Sequence, residues 1–309
     1  MSVDPRAQQR MRQGTVEVRF HRSRRWQITG RGHMQKLKTY VRSKYPRFYS
    51  WLGIAKYFAK HRETKRATHD NRARIFSEVY RKNVWGESET RSGSGSGLEQ
   101  TSMIREKLPA LVKSLGARSL LDLPCGDLHW IKRVDLGIDA YIGGDIVRDL
   151  IEQNRESYGD PKRTFLVFDV TKEKLPKLDL ILCRDCLGHL SFKDIQSAVW
   201  NFVRSESTYL LTTTFPKLDV NRDIRTGGWR RVNLQNPLFN FPEPVEFINE
   251  GCTERDGAYA DKSLGLWKLS TIRRPRRFRL WEYFPLLLAR VSRSGVRFGL
   301  VDFVEARVV

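Results

Sequence analysis

From residue 118 onward the chain alternates continuous apolar runs with amphipathic stretches, and this alternation limits the fold more than any other feature. The strand-like runs are Ser119–Leu123, Ala140–Asp145, Phe165–Val170, Asp179–Arg184 and Tyr209–Phe215. Between them lie helical patterns, one with Leu150, Ile151, Asn154 and Tyr158 and another with Phe192, Ile195, Val199, Phe202 and Val203. A strand that is apolar on both faces must be covered on both faces. Strands of that kind alternating with helices imply an α/β, doubly wound parallel sheet. Two more runs, Val245–Asn249 and Ser263–Ile272, extend the strand series. Ahead of it, Ile104, Leu108, Leu111, Val112 and Leu115 recur at helical spacing, with Gly116 as a stop. Residues 67–83 also read as helix.

In such a sheet, ligands bind beyond the carboxyl ends of the strands. Those ends are rich in acids. The first run ends in Asp122-Leu-Pro124-Cys125-Gly126-Asp127, and the second in Gly143-Gly-Asp145 followed by Ile146. The third ends in Phe168-Asp169-Val170, and the fourth in Cys183-Arg184-Asp185-Cys186, two residues before His189. Carboxylates at four successive strand ends are not a core requirement, because buried acids are costly without partners. An acid about 20 residues past a glycine turn commonly receives ribose hydroxyls, and Asp145 lies 19 residues after Gly126. A dinucleotide turn would carry several glycines so that the backbone can approach a pyrophosphate. Here the turn has one glycine and a second acid. It repels phosphate and suits a ligand carrying an amino or sulfonium cation.

The stretch LLDLPCGDLHW, Leu120 to Trp130, resembles the first motif of class I S-adenosylmethionine-dependent methyltransferases. Asp122 matches its acid and Gly126 its middle glycine, while Pro124 and Leu128 stand where outer glycines are usual. The resemblance covers residues 80–272 and extends to a branch with Ser-Gly-Ser-Gly-Ser before the first helix, Leu-Thr-Thr-Thr-Phe, and Thr-Gly-Gly-Trp-Arg. It implies a seven-stranded Rossmann-like methyltransferase sheet ordered 3-2-1-4-5-7-6, with the last strand antiparallel. It also implies S-adenosylmethionine as cofactor, Asp145 on the ribose, Asp169 and Val170 by the adenine, and CRDCLGHLS near the methyl group and acceptor.

The roles of individual residues stay open at this level. Asp122 is either a ligand-facing group or a carboxylate that caps its own turn. Asp127 either faces the methionyl end or caps the next helix. Asp185 and His189 are the candidate general bases, because alcohol methylation requires removal of the acceptor proton. His189 could equally pack on the next helix, and pairing with Arg184 would weaken Asp185 as a base. The run Trp85–Gly97 reads as a flexible linker or as a loop closing over the cofactor, the latter placing Ser94 and Gly95 at the ligand. Trp229 and Arg230 lie in the turn-rich stretch 215–243, too long for an ordinary connection, and are the candidate acceptor contacts. The pair Cys183 and Cys186 invites a zinc or redox reading. No second paired motif accompanies it, so no metal is expected.

Charge divides the chain. Residues 1–75 carry 20 Lys/Arg against 4 Asp/Glu, residues 272–309 carry 9 against 3, and the centre 27 against 28. We read residues 1–66 as a basic, partly helical or disordered extension, 67–272 as the methyltransferase domain and 273–309 as a basic C-terminal segment. A helix around 50–61 is expected from Trp51, Leu52, Ala55 and Phe58. The basic arm suits a polyanion such as RNA, an anionic membrane surface or an acidic glycan, or is a solvated tail. The longest apolar run near the C-terminus, Leu280–Val291, is about 12 residues and holds a glutamate and a proline, short of the roughly 20 a bilayer span needs. Four cysteines in a chain of this length suggest a reducing, cytoplasmic setting, with peripheral membrane contact through the arm as the variant. The function expected is O-methylation of a glycan or small-molecule acceptor. Its rivals are RNA methylation using the arm, and a non-catalytic S-adenosylmethionine-binding protein.

Overall fold

The computed structural model describes residues 16–19, 25–28, 69–85 and 88–273. By internal contacts the chain divides into two units, Met1–Ala55 with Arg276–Val309, and Lys56–Pro275. In the first unit, β1 (Val16–Arg19) and β2 (Arg25–Ile28) pair antiparallel, with Val16 opposite Ile28 and Arg19 opposite Arg25. No strand was expected in that stretch. The pair's signal is the period of two in Val16 and Val18, answered by Trp26 and Ile28. The expected helix at 50–61 and nearly all of the C-terminal segment lie outside the described residues.

The second unit is built on seven strands: β3 (Ser119–Asp122), β4 (Ala140–Asp145), β5 (Arg163–Val167), β6 (Leu180–Cys183), β7 (Tyr209–Thr214), β8 (Glu246–Asn249) and β9 (Ser263–Lys268). They are ordered β5-β4-β3-β6-β7-β9-β8. Strands β3 to β7 are parallel, and β9 runs antiparallel to both β7 and β8. Counting from β3, this is the 3-2-1-4-5-7-6 order with its reversed seventh strand, the α/β Rossmann-like methyltransferase fold. The chain leaves β3 outward in both directions, so a crevice opens where β3 and β6 adjoin.

Period-two alternation explains the two cores. Leu121, Ile181 and Leu210 face α4 (Phe192–Arg204), meeting Ile195, Val199 and Phe202. Their neighbours Leu120, Leu180, Leu182 and Leu211 face the other way, toward Ile104, Leu108 and Leu111 of α2 (Ser102–Ser114). Ile151 of α3 (Arg148–Tyr158) joins that second face. Each such fully buried aliphatic side chain contributes about 1.5–3 kcal/mol. Helix α4 starts where Ser191 Oγ accepts from Asp194 N at 3.2 Å.

Helix α1 (His69–Arg81) precedes the first core strand and lies within the stretch expected to be helical. The turn-rich stretch after β7 forms no regular element, yet it is built into the core. Val232, Leu234, Phe239 and Phe241 are buried there. Asn221 Nδ2 donates to Asn233 O, and Asn233 N returns a bond to Asn221 Oδ1, both at 2.8 Å. No helix among the described residues is long and apolar enough to cross a membrane.

Candidate active site

The carboxyl ends of β3, β4, β5 and β6 open into one cleft, which encloses about 1130 Å³ including space continuous with solvent. After β3 the backbone turns sharply. Cys125 N donates to Gly144 O at 2.8 Å, and Gly126 takes φ +55°. That conformation favours glycine. A Cβ there would also collide with Ser92 Oγ. The turn therefore needs its glycine for contact with another loop, not for approach to a phosphate.

Two acids at strand ends face the cleft from buried positions. Asp122 is 3% exposed and accepts from Tyr141 Oη at 2.7 Å. Burial lifts its pKa to about 7, against the lowering effect of the Tyr141 bond. Asp145 is 7% exposed; its Oδ1 accepts from Val147 N at 3.0 Å and its Oδ2 from Gly126 N at 3.4 Å. Burial raises this carboxyl to about 6, with the backbone donors pulling the other way. The long Gly126 contact leaves Oδ2 able to accept a stronger donor.

The other two acids are already committed. Asp169 Oδ2 accepts from Arg72 Nε and NH2 at 3.0 and 2.8 Å, and Oδ1 accepts from Thr171 N and Oγ1 at 2.9 and 2.7 Å. Burial opposes its ionisation, and the Arg72 and Thr171 bonds outweigh burial and hold its pKa below the ordinary value. An adenine amino group finds this carboxylate filled. The expectation that the Asp169 side chain receives adenine is therefore corrected, although Asp169 and Val170 do line the cleft.

Asp185 likewise fails as a base. Its Oδ2 pairs with Lys262 Nζ at 2.6 Å and with Arg184 NH1 at 3.3 Å. Burial raises its pKa, but the two cations dominate and hold it far below the carboxylate range. It also sits at φ +50°, with its N–H bonded to Thr213 Oγ1 at 2.8 Å. Arg184 borders the cleft yet spends its guanidinium on Glu250 Oε2 at 2.7 Å and Gly95 O at 2.6 Å. Its place is to hold the loop that carries Gly95.

That loop is the glycine-serine run, and it is no linker. Asp127 ties it down: its carboxylate accepts from Thr90 Oγ1, from Arg91 N and from Ser92 Oγ at 2.8–3.0 Å. Asp127 N returns a bond to Ser92 Oγ at 3.1 Å. Asp127 thus clamps the loop on the β3 turn; it also accepts from His129 N of its own turn at 3.3 Å and borders the cleft. Gly95 lies where a Cβ would stand 3.0 Å from Asp185 Oδ2 and 3.1 Å from Lys262 Nζ. The residues facing the cleft are Arg91, Ser92 and Ser96, not the expected Ser94 and Gly95. Ser94–Ser96 forms a single tight helical turn that aims Ser94 outward, onto Glu254.

His189 lies on the turn after β6 and borders the cleft. Its Nδ1 is 2.8 Å from Gly228 O. A carbonyl only accepts, so Nδ1 carries the proton and Nε2 the lone pair. Nε2 has no hydrogen-bond partner among the described residues. Trp85 packs against the ring at 4.9 Å between centroids, with the planes inclined at 40°. Burial keeps the His189 pKa below its usual value, partly countered by the Gly228 bond.

The expected acceptor contact Arg230 is corrected. It is 9% exposed and staples the same turn, donating to Leu187 O and Gly188 O at 2.7 Å and to Leu190 O at 2.6 Å. Trp229 does not border the cleft; it stands 44% exposed against Tyr259.

The sequence reading places a helix over 67–83 but assigns none of its residues to the site. Arg72, Phe76 and Tyr80 recur every four residues, so one helix face enters the cleft, followed by Trp85. That spacing was visible in the sequence. Pro124, Cys125, Ile146, Val147, Leu150, Trp130 and Phe168 complete an apolar and aromatic lining. Cys125 and Cys183 are buried, and both they and Cys186 are free thiols.

No family model matches this sequence, and no curated protein matches it significantly. Solved structures do. The YcgJ protein from Bacillus subtilis is similar at 21% identity and TM-score 0.30, over 35% of this chain and 50% of that one. Phosphoethanolamine N-methyltransferase 1 of Haemonchus contortus is similar at 11% identity and TM-score 0.47, over 65% and 49%. Magnesium protoporphyrin IX methyltransferase from Synechocystis PCC 6803 is similar at 15% identity and TM-score 0.34, over 48% and 71%. The match thus spans about half the length of the first two proteins. Identities this low leave the acceptor of the present chain to its own residues.

Proposed function

We propose that this chain is an S-adenosylmethionine-dependent methyltransferase acting on an oxygen of a glycan or small metabolite, with His189 as the general base. The observation that carries the reading is the pairing of Asp122 and Asp145, buried carboxyls lifted to about 7 and about 6 at adjacent strand ends. Buried acids of raised pKa facing a cleft mark a place where a ligand's donors complete the hydrogen bonding.

The residues fit the cofactor. Asp145 has an underused oxygen for a ribose diol, and Asp122 a carboxylate for an ammonium group. Ile146, Val147, Leu150 and Val170 offer an apolar shelf for a purine, and Trp85 offers an aromatic face to a cation, whereas Tyr80 and Trp130 already carry Arg91 and Arg184 over their rings at 5.5 and 5.7 Å. When bound, S-adenosylmethionine supplies an electrophilic methyl on sulfur and leaves as S-adenosylhomocysteine. The chain's own part is positioning, water exclusion and proton removal. Arg184 and Asp127 hold the Ser92–Ser96 loop against the β3 turn. Arg72 fixes Asp169 and therefore the backbone after β5. His189 Nε2 takes the proton of the acceptor hydroxyl as the oxygen gains the methyl.

Turnover with methyl-labelled S-adenosylmethionine tests this, using separate pools of oligosaccharides, small hydroxylated metabolites and RNA. Label should enter a sugar or metabolite hydroxyl. His189→Gln should lower turnover by about 10²–10⁴ with S-adenosylhomocysteine affinity unchanged. Label in RNA alone would replace the acceptor class, and full activity in His189→Gln would remove it as base.

A further inference from the structure

We infer that the acceptor is an anionic sugar ring, seated on a platform of Trp229 and Tyr259 with Arg231 beside it; this rests on the methyltransferase reading above. Among the described residues, Trp229 is the exposed aromatic that adjoins the His189 turn. Its Nε1 lies 3.5 Å from where a Gly188 Cβ would be. The loop carrying it is bonded to that turn twice, by Gly227 N to His189 O at 2.9 Å and Arg230 N to Gly188 O at 3.1 Å.

The platform is a built arrangement. Tyr259 meets Trp229 at 5.0 Å between centroids, and Phe215 braces both edge-on at 6.4 and 6.2 Å. An exposed tryptophan held this way keeps one orientation without being buried by it. Its electron-rich face suits the apolar C–H face of a pyranose. Arg231 lies 5.8 Å over the Tyr259 ring. Its one hydrogen bond among the described residues goes to Ala258 O at 3.3 Å. Four of its five N–H donors remain for a ligand anion. Arg222 and Arg225 are exposed on the same loop, which also carries Asp219 and Asp223, so Arg231 is the cation that the platform itself holds.

A sugar fits better than a nucleic acid strand. Single-strand binding uses successive stacking platforms along a basic groove. Here one platform adjoins a central segment whose charges nearly cancel, 27 basic against 28 acidic. A neutral sugar's hydroxyls can accept single bonds from Arg231, whereas a sugar carboxylate takes two of its N–H donors at once in a charge-assisted pair.

The test is calorimetric titration of the full chain at physiological salt, with and without S-adenosylhomocysteine. The probes are tetragalacturonate, maltotetraose and tetrauridylate, on wild type, Trp229→Ala, Trp229→Phe and Arg231→Gln. Tetragalacturonate should bind about tenfold tighter than maltotetraose. Trp229→Ala and Arg231→Gln should each lose about tenfold, Trp229→Phe should retain most of the binding, and affinity for S-adenosylhomocysteine should stay as in wild type. Equal sugar binding in Trp229→Ala, no heat from tetragalacturonate, or a Trp229-dependent preference for tetrauridylate would each overturn the proposal. Failure to bind S-adenosylhomocysteine would count against the cofactor reading instead, so the two failures are distinguishable.

Discussion

Acidification should weaken cofactor-product binding through Asp145, and the structure sets the size of the effect. In the folded chain this carboxyl titrates at about 6, raised by burial. Ribose hydroxyls donate to the ionised form, so binding requires the proton to leave. At pH 5 only about a tenth of Asp145 is ionised, which costs about tenfold in affinity, or about 1.4 kcal/mol. Asp122, raised to about 7, adds its own loss from a higher pH. The assay is calorimetry of S-adenosylhomocysteine from pH 5 to 8 on wild type, Asp122→Asn and Asp145→Asn. Asp122→Asn should retain an inflection near 6. Asp145→Asn should lose it and bind more weakly by about 1–3 kcal/mol at pH 8. The ligand-free protein should show the opposite trend in stability. A carboxyl raised by folding contributes stability that is full below about 3.8 and lost as pH rises through 6 and 7. These two groups therefore lower the melting temperature between pH 5 and 8, and the ligand offsets the loss. Asp169 and Asp185 are depressed, so their contribution fades only as pH falls below the ordinary carboxylate value, outside this window. An inflection near 6 that persists in Asp145→Asn would refute the assignment.

Arg72→Ala should destabilise the fold by about 3–5 kcal/mol, read by denaturant unfolding, because it strips a buried cation from Asp169 and Asp194. Gly126→Ala should reduce S-adenosylhomocysteine affinity about tenfold or more, read by calorimetry, since its methyl group would displace Ser92 and the loop that Asp127 clamps.

Much of the sheet was legible because its strands are buried on both faces, so the apolar runs announce themselves. Ala140–Asp145 matches the expected limits, and β5 shows where that signal stops. That strand was expected to run to Val170 but ends at Val167: Phe168 N makes the last ladder bond, to Asp145 O at 2.8 Å, and Phe168–Val170 then walls the cleft. Apolar residues that line a site look like apolar residues that line a core. The acids at strand ends were legible as a set, but their division was not. Asp169 and Asp185 are neutralised by Arg72 and Lys262, which lie 97 and 77 residues away in sequence. Spacing carries no trace of such pairs. The same holds for Arg230, whose neighbour Trp229 is exposed while it is buried. The glycine-serine loop was ambiguous because composition suggests flexibility, whereas its order comes from Asp127 and Arg184 across the cleft. The helix α1 face was readable from its period of four and was overlooked because it precedes the alternating region.

The central claim is that the cleft selects a cationic, ribose-bearing ligand over a dinucleotide diphosphate. Calorimetry of the purified full chain at pH 7.5 with S-adenosylmethionine, S-adenosylhomocysteine and NAD tests it most directly. The account predicts binding of the first two in the micromolar range, about −8 kcal/mol, and none of NAD. Clear heat for NAD with none for either adenosyl ligand would contradict it.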